Sequence, residues 1–331
     1  MLHKTLLTGL AAIIIGAGPG FAQTTLDMTS EYEANSLHGQ GDQFFADKVA
    51  EFSGGDVEIV LHLGGALGFK SKDNLDAVGD GIVPIADTLG GTLAGSDSIF
   101  LLSSLPFIAA SPQDARTLYE TARPAYDAFF EKNGQILLYA SPWTPSGLWA
   151  NTEVNSPEAL EGFKLRTYDA NGTRTLIAAG AAPIQLSWAD VVPQLATGGI
   201  DGVLTSAEGG VFGKFWEHLS HFSEVNYALP LNFVHMNADV FADLDEASQK
   251  AILDAAAATD ERNWAQLETR ISQNYGTLRE HDVVIIEEIS PELQKRLADA
   301  AGNVIEQWKE SANAEYIDLL KAYGEKVGRS Y

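Results

Sequence analysis

An alternation of strand-like and helix-like patterns from residue 26 onward is the strongest restriction on the fold. Residues 26–29 alternate apolar and polar side chains, residues 57–61 are mostly β-branched and apolar, and both stretches are predicted as strands. Between them, apolar residues recur at helical spacing from Ser36 to Phe52, and Ser53-Gly54-Gly55 ends this helix. A strand–helix–strand unit predicts parallel strands joined by a right-handed crossover, and therefore an α/β fold.

Composition excludes several classes of protein. The 331 residues are enough for two packed lobes. A formal charge of −24 argues against a nucleic-acid partner and against an anionic membrane surface. The chain has no cysteine, which excludes disulfides, thiolate nucleophiles and cysteine-ligated metals. No run of 18 apolar residues predicts a transmembrane helix, so no direct membrane insertion is expected.

The N-terminus has the pattern of a secretory signal peptide. Lys4 supplies the positive charge, residues 6–17 form a short apolar core, and Gly20-Phe21-Ala22 provides a small-x-small cleavage site. We predict a signal peptide over residues 1–22, cleaved after Ala22, and a periplasmic mature protein. A lipid anchor is not expected because no cysteine follows the apolar core.

The stretch from Leu160 to Tyr168 predicts an anion receptor. It reads as a turn at Gly162, a short strand, and a cation at Arg166 near the carboxyl end of that strand. Open α/β sheets bind ligands at this end of their strands, and a guanidinium can donate two parallel hydrogen bonds to a carboxylate. The alternative is that Arg166 only pairs with one of the 45 acidic side chains.

Two motifs in order resemble the solute-binding subunits of tripartite ATP-independent periplasmic (TRAP) transporters. Residues 162–166 match the family's G-x-K-x-R strand, whose arginine binds the ligand carboxylate. Residues 188–202 match W-x-[ED]-V-x-x-x-L-x-x-G-x-[IV]-D-G, which supplies an aromatic ring and a polar residue to the pocket. The resemblance extends over nearly the whole mature chain.

The resemblance implies a two-lobed periplasmic-binding-protein fold of type II-like architecture. Each lobe is expected to be a mixed sheet flanked by helices, and one long helix, predicted near residues 245–279, is expected to span both lobes. The predicted first lobe comprises residues 24–144 plus about 233–272. The second comprises about 145–232 plus 273–331.

Carried over by motif, the resemblance assigns the carboxylate to Arg166, an aromatic wall to Trp188 and a hydrogen bond to Thr205. Thr205 occupies the position where the family usually has Asn. A second arginine, common in relatives, is missing near Ser146, and two tryptophans lie there instead. Asp87 is a candidate acceptor for a ligand hydroxyl, or alternatively a cap for the glycines after it. The remaining candidate ligand-binding residues are Trp143, Trp149, Tyr32, Asn35, Glu208 and Phe212.

These residues favour a receptor over an enzyme. With one arginine and several rings, we predict a monocarboxylate with an apolar or aromatic body. A C4-dicarboxylate or a 2-oxo or hydroxy acid is the alternative. The resemblance implies delivery of the ligand to TRAP membrane subunits for ion-gradient-driven uptake, and no cofactor.

Catalytic and metal sites are weakly supported. His218 and His221 have an i, i+3 spacing, but no third ligand is marked nearby, so no metal is predicted. No Gly-x-Ser-x-Gly nucleophile motif is present. Carboxylates are too numerous to single out a glycosidase pair. A secreted two-lobed hydrolase remains the alternative of another class.

Overall fold

The computed structural model describes residues 23–331, and two separate mixed sheets organise them. The predicted signal peptide, residues 1–22, lies outside the described residues. The strands are β1 Thr24–Ser30, β2 Val57–His62, β3 Ile85–Leu89, β4 Gln135–Pro142, β5 Ser146–Ala150, β6 Lys164–Thr167, β7 Ala182–Gln185, β8 Gly202–Ser206, β9 His221–Ser223, β10 Leu231–Asn237 and β11 Val284–Ile286.

Ten α-helices flank the sheets in the described part of the chain. Side-chain oxygens cap several of them: Ser36, Ser111 and Asp169 each accept a hydrogen bond from a backbone N–H in the first turn of the helix that follows. The helices are α1 Leu37–Phe52, α2 Asn74–Gly79, α3 Pro112–Lys132, α4 Ala170–Ala178, α5 Val191–Ala196, α6 Ala207–Phe212, α7 Ala238–Ala242, α8 Glu246–Glu280, α9 Pro291–Ser311 and α10 Ala314–Val327.

Each sheet mixes parallel and antiparallel pairs, as predicted. The first has the order β2-β1-β3-β10-β4, in which β1, β2 and β3 are parallel and β10 is antiparallel to both neighbours. The second has the order β11-β9-β5-β8-β6-β7, in which β5 is antiparallel to β8 and β9. Strand β6, which carries Arg166, is parallel to β7 and β8, so its carboxyl end lies beside theirs.

Two chain segments connect the sheets, and they run side by side. The segment between β4 and β5 pairs with the segment before β10: the Trp143 N–H donates to the Pro230 carbonyl at 2.9 Å, and the Ser146 N–H donates to the Ala228 carbonyl at 2.9 Å. These paired segments and helix α8 pass between the two halves, and we expect the halves to hinge here.

Helix α8 spans both lobes, as predicted. Ile252 and Ala255 lie in an apolar cluster under the first sheet, whereas Leu278, near the other end, lies in the cluster of the second sheet. Asp245 caps the helix and accepts from the Ser248 N–H at 2.7 Å. With 35 residues it is the longest described helix. It is also far from amphipathic, because it meets different surroundings along its length.

The last helix, α10, packs against α3 of the first lobe. The predicted boundaries assign it, with the rest of residues 273–331, to the second lobe. Leu320 and Tyr323 are fully buried in the same apolar cluster as Phe130. We therefore propose that α10 belongs to the first lobe. The helical pattern in the sequence could not predict this assignment, because the pattern does not show which surface a helix packs against.

Among residues 23–331, no helix combines the length and apolar character needed to span a membrane.

Candidate ligand-binding site

A small cavity, with about 300 Å³ of empty space when the part open to solvent is included, lies where the two lobes and the two connecting segments meet. The first lobe contributes residues that follow β1 or end β3. The connecting segments contribute Trp143 and Pro230, and Ser146 at the start of β5 adjoins them. The second lobe contributes the carboxyl ends of β6 and β8 and one tryptophan. The lining residues are Tyr32, Leu89, Trp143, Ser146, Arg166, Tyr168, Trp188, Thr205, Ser206 and Pro230.

Arg166 is the cation of this cavity. It is only 3% exposed, and its Nε donates to the Leu186 carbonyl at 3.0 Å. Its two terminal nitrogens form neither a hydrogen bond nor an ion pair with any residue of the described range 23–331. The Nε bond fixes the plane of the guanidinium. The side chain is therefore neither in bulk solvent nor committed to a protein carboxylate, and its fork is available to an anion.

Buried acids near Arg166, among them Glu31 and Asp169, form no hydrogen bond or ion pair with its guanidinium. Burial lowers the pKa of Arg166, and Tyr32, Glu31 and Asp169 oppose that shift. Burial raises the pKa of Glu31, although Ser71, whose hydroxyl and N–H both donate to Glu31 Oε1, counteracts the rise. Burial also raises the pKa of Asp169 to about 6. These acids do not pair directly with the guanidinium, so its terminal nitrogens remain available to donate to an anion.

Aromatic rings form the apolar wall. Trp188 begins a single 3-10 turn, Trp188–Asp190, and is 7% exposed. The Arg166 Cζ atom lies 5.9 Å from its ring centroid, within cation–π range. Trp143 lies on the opposite, connecting segment and packs edge-on to Tyr32 at 5.1 Å. Its Nε1 donates to Asn232 at 2.8 Å, which fixes the ring. The cavity is therefore lined by two large rings, Trp188 and Trp143.

Hydroxyl groups supply the remaining polarity. The Thr205 hydroxyl forms no hydrogen bond within the described chain, and the Tyr32 hydroxyl is buried without a partner. Ser146 and Tyr168 lie 3.3 Å apart, oxygen to oxygen. Ser206 is already engaged, because it caps α6 by accepting from the Gly209 N–H. Thr205 and Tyr32 are thus the lining hydroxyls that have no hydrogen-bond partner among residues 23–331. Leaving a buried polar group such as the Tyr32 hydroxyl unsatisfied costs about 1–3 kcal/mol.

Five of the ten predicted site residues line the cavity, and these are Arg166, Trp188, Thr205, Trp143 and Tyr32. The residues that sequence reasoning missed are Leu89, Ser146, Tyr168, Ser206 and Pro230. Tyr168 and Ser206 each lie one or two positions past a predicted site residue at a strand end, so that location was a usable signal. Leu89 and Pro230 carry no such signal.

Trp149 does not line the cavity, contrary to the prediction. Its side chain is fully buried in the second lobe, where it packs on Phe215 at 5.4 Å and Phe222 at 5.0 Å. Its Nε1 donates to the Ser206 carbonyl at 3.2 Å. Side chains alternate along a strand, so on β5 Trp149 points to the opposite face from Ser146, which does reach the cavity.

Asp87 and Phe212 lie behind the lining. Asp87 is fully buried, accepts from Asn232 at 2.8 Å and from Ser30 at 3.1 Å, and neither faces a ligand nor caps the glycines after it. It supports the site indirectly, because Asn232 in turn holds Trp143. Phe212 packs against the Trp188 ring at 4.7 Å.

Asn35 and Glu208 are also absent from the lining. Asn35 is exposed, and its carbonyl accepts from Arg270 at 2.6 Å. Glu208 is completely buried, but all of its bonds go to protein groups. Sequence reasoning placed both near the ligand because each lies close along the chain to a residue that does reach it.

The paired histidines form no metal centre in the described structure. His221 hydrogen-bonds Ser220 at 2.9 Å. Within residues 23–331, no group of three or more His, Asp or Glu side chains is arranged to hold a metal ion.

A groove, with about 770 Å³ of empty space when the part open to solvent is included, adjoins the cavity. Arg166, Tyr168, Trp188 and Leu89 line both spaces, so they form the partition between them. Beside the groove, Lys70 Nζ of the first lobe lies 2.8 Å from Asp190 Oδ2 of the second. Both side chains are partly exposed, and such pairs contribute at most about 1 kcal/mol. The ion pair therefore bridges the mouth without locking it.

The Asp87 carboxyl predicts a pH dependence of stability. Burial raises the pKa of Asp87 to about 7 from its usual value near 3.8, against the lowering by Asn232 and Ser30, and nearby Glu31 adds to the rise. The folded protein then holds a proton that the unfolded chain has released. The contribution of Asp87 to the free energy of unfolding is thus fully present below about pH 4. It is lost, by up to about 1.4 kcal/mol per pH unit, as the pH rises to about 7.

The variant Asp87→Asn cannot ionise at this position. We measure the difference in melting temperature between the variant and the unmodified protein at each pH. We expect this difference to favour the variant more at pH 8 than at pH 5. Thermal unfolding at both pH values measures this, with the exposed Glu287→Gln as control. An equal difference at both pH values would contradict the prediction.

A protein-family model matches most of the chain. The model described as "DctP: Bacterial extracellular solute-binding protein, family 7" matches residues 28–311. Among curated relatives, a solute-binding protein of Verminephrobacter eiseniae is 23% identical over 274 residues, covering 81% of each chain. The ectoine-binding periplasmic protein TeaA of Halomonas elongata is 23% identical over 281 residues, covering 81% of this chain and 80% of that protein.

Solved structures are similar over almost the full length. DctP7 of Bordetella pertussis, an extracytoplasmic solute receptor binding pyroglutamic acid, is 29% identical with a TM-score of 0.87, covering 91% of this chain and 99% of that one. A marine metagenome TRAP solute binding protein specific for pyroglutamate, solved with co-purified pyroglutamate, is 29% identical with a TM-score of 0.88, covering 92% and 100%.

Proposed function

Because this chain belongs to family 7 of the bacterial extracellular solute-binding proteins, the TRAP receptors, we propose that it captures a small monocarboxylate between its lobes. The observation that carries the proposal is the state of Arg166. A buried guanidinium with its two terminal nitrogens unbonded by protein, in a cavity between hinged lobes, has the geometry of a carboxylate receptor.

Family membership confirms three predictions made from the sequence. The chain is a TRAP-type solute-binding protein, its fold is the expected pair of mixed sheets flanked by helices, and its class is that of a receptor rather than an enzyme. The secreted-hydrolase alternative is thereby set aside. The family is extracytoplasmic, and we propose a periplasmic location after removal of residues 1–22.

The mechanism we propose is closure of the lobes around the acid. Arg166 donates both terminal nitrogens to the carboxylate, and Thr205 donates a further hydrogen bond from the end of β8. Trp188 and Trp143 pack against the two faces of the ligand body. Closure moves the Tyr32 side of the first lobe onto the ligand and excludes water, which strengthens each of these polar contacts.

The cavity lining favours one negative charge on the ligand. Arg166 is the single Lys or Arg among the lining residues, so a second carboxylate would be buried without a counter-charge. The unused hydroxyls of Thr205 and Tyr32 suit a body that carries its own acceptor, rather than a purely aromatic one. Pyroglutamate, a cyclic monocarboxylate with an amide carbonyl, meets both conditions, and it is the compound that the two receptors of 29% identity are described as binding.

A thermal-shift panel tests this ranking. A ligand that binds only the folded protein raises its melting temperature in proportion to the logarithm of its concentration over Kd. We expect the largest shift with pyroglutamate, smaller shifts with a 2-oxo acid and with benzoate, and the smallest with succinate and malate. A larger shift with succinate than with any monocarboxylate would overturn the monocarboxylate assignment. A 2-oxo or hydroxy acid is the second candidate, because Thr205 and Tyr32 can donate to its extra oxygen.

The proposed partners of the closed receptor are the membrane subunits of a TRAP transporter. Closure places surfaces of both lobes in a fixed relation, which an integral membrane subunit can distinguish from the open form. Uptake would then be driven by an ion gradient.

A further inference from the structure

The Glu208 carboxylate is saturated with hydrogen bonds from the protein, although no part of the side chain is exposed. It accepts from the Leu37 N–H at 2.7 Å, from Arg270 Nε at 2.6 Å and Nη2 at 2.8 Å, and from Asn274 Nδ2 at 2.8 Å. Two oxygens offer about four lone-pair positions, and all four are used. Glu208 therefore has no capacity left for a ligand.

The Glu208 carboxylate and its donors come from three different parts of the fold. Glu208 lies in the first turn of α6 in the second lobe, three residues beyond Thr205 of the cavity. Leu37 begins α1 in the first lobe, five residues beyond Tyr32 of the cavity. Arg270 and Asn274 are one turn apart on α8, between its contacts with the two lobes. The carboxylate thus joins the two ligand-facing segments to each other and to the helix that spans both lobes.

The Leu37 N–H is a specific feature of this junction. It is the first N–H of α1, which has no partner within the helix, and the cap Ser36 satisfies the Gly39 N–H instead. The helix N-terminus also carries partial positive charge, which favours a carboxylate there. Arg270 Nη2 additionally donates to the Asn35 carbonyl at 2.6 Å, just before α1. Both members of the ion pair therefore contact the first lobe.

We infer that Glu208 is a positioning residue that stabilises the closed arrangement of the lobes and so raises ligand affinity without touching the ligand. The inference rests on the proposed function, closure on an acid. When the lobes separate, the bonds to Leu37 and Asn35 break and water reaches the ion pair. The apparent Kd equals the intrinsic Kd divided by the fraction of receptor able to close, so loss of this junction weakens binding.

The variant Glu208→Gln tests the inference, because it keeps the shape but removes the charge and turns one acceptor into a donor that faces other donors. We expect pyroglutamate affinity to fall about tenfold, through faster dissociation, with an association rate within about threefold of the unmodified protein. Asn274→Ala removes one donor without disturbing the charge and is expected to have an intermediate effect. Glu287→Gln, which breaks the exposed pair with Arg279, is the matched control and is expected to change affinity less than twofold.

A second readout separates positioning from direct contact with the ligand. The chain has no cysteine, so one label can be attached to Glu51→Cys in the first lobe and another to Glu292→Cys in the second. The distribution of distances between the labels then reports the lobe arrangement. We expect Glu208→Gln to shift the ligand-free distribution toward the open form and saturating ligand to restore the closed one.

Two results would overturn the inference. One is an unchanged distance distribution and dissociation rate in Glu208→Gln and Asn274→Ala. The other is weaker binding with an unchanged ligand-free distribution, which would mean that Glu208 acts on the ligand directly. If no acid of the panel binds the unmodified protein, the proposed ligand class fails. The ligand-free distances still test Glu208 in that case.

Discussion

Replacing Arg166 by lysine is expected to weaken binding of the carboxylate ligand by well over tenfold. The bond from Nε to the Leu186 carbonyl fixes the plane of the guanidinium. The two terminal nitrogens form no hydrogen bond to residues 23–331, so both can donate to a ligand. A lysine ammonium keeps the charge but cannot present two parallel donors. One charged hydrogen bond contributes about 1.5–3 kcal/mol, and 1.4 kcal/mol corresponds to a factor of ten in Kd.

Isothermal titration with pyroglutamate, or with the acid of largest thermal shift, measures the effect. Arg166→Gln removes the charge as well and is expected to abolish measurable binding. Arg174→Lys, the same substitution at an exposed position of α4, is the matched control. Arg166→Lys also loses the bond to Leu186, so the ligand-free melting temperature must be measured alongside. A folded Arg166→Lys protein that binds within twofold of the unmodified one would refute the assignment of Arg166 as the carboxylate receptor.

The substitution Gly210→Ala is expected to cause the largest loss of stability. A Cβ atom at Gly210 would lie 1.9 Å from Cζ2 of Trp149, far inside van der Waals contact. The indole cannot move aside easily, because Phe215 and Phe222 pack against it and its Nε1 is bonded to Ser206. Overpacking of this kind costs about 1–3 kcal/mol, more than the helix gains by replacing glycine with alanine.

Thermal unfolding of the ligand-free protein checks this prediction, with an expected fall of several degrees in the melting temperature. Gly302→Ala makes the same change within helix α9, where the new Cβ meets no atom within 4 Å. It is expected to leave the melting temperature unchanged or to raise it slightly, since alanine favours the helix. Equal effects of the two substitutions would show that Trp149 is not as tightly held as the packing indicates.

The two predictions rest on different kinds of information. Arg166 was identified from the sequence because its signal is local: a glycine turn, an alternating strand and a cation at its end are all encoded within seven residues. Trp188 was identified through a spaced motif of the same kind. Trp149 was misplaced because both faces of its strand are buried, and a tryptophan can pack on either one. Only the pairing of the strands decides which face borders the cavity.

Local chemistry in the amino-acid sequence determined the alternating strands and helices, the long helix near residues 245–279, and the cation at the end of β6. Tertiary packing alone decided which side chains meet. The bond from Leu37 to Glu208 joins residues 171 positions apart, and the last helix covers the first lobe rather than the second. The physical reason is that periodicity and caps act within a few residues. A buried carboxylate instead takes its role from the donors that the folded chain places around it.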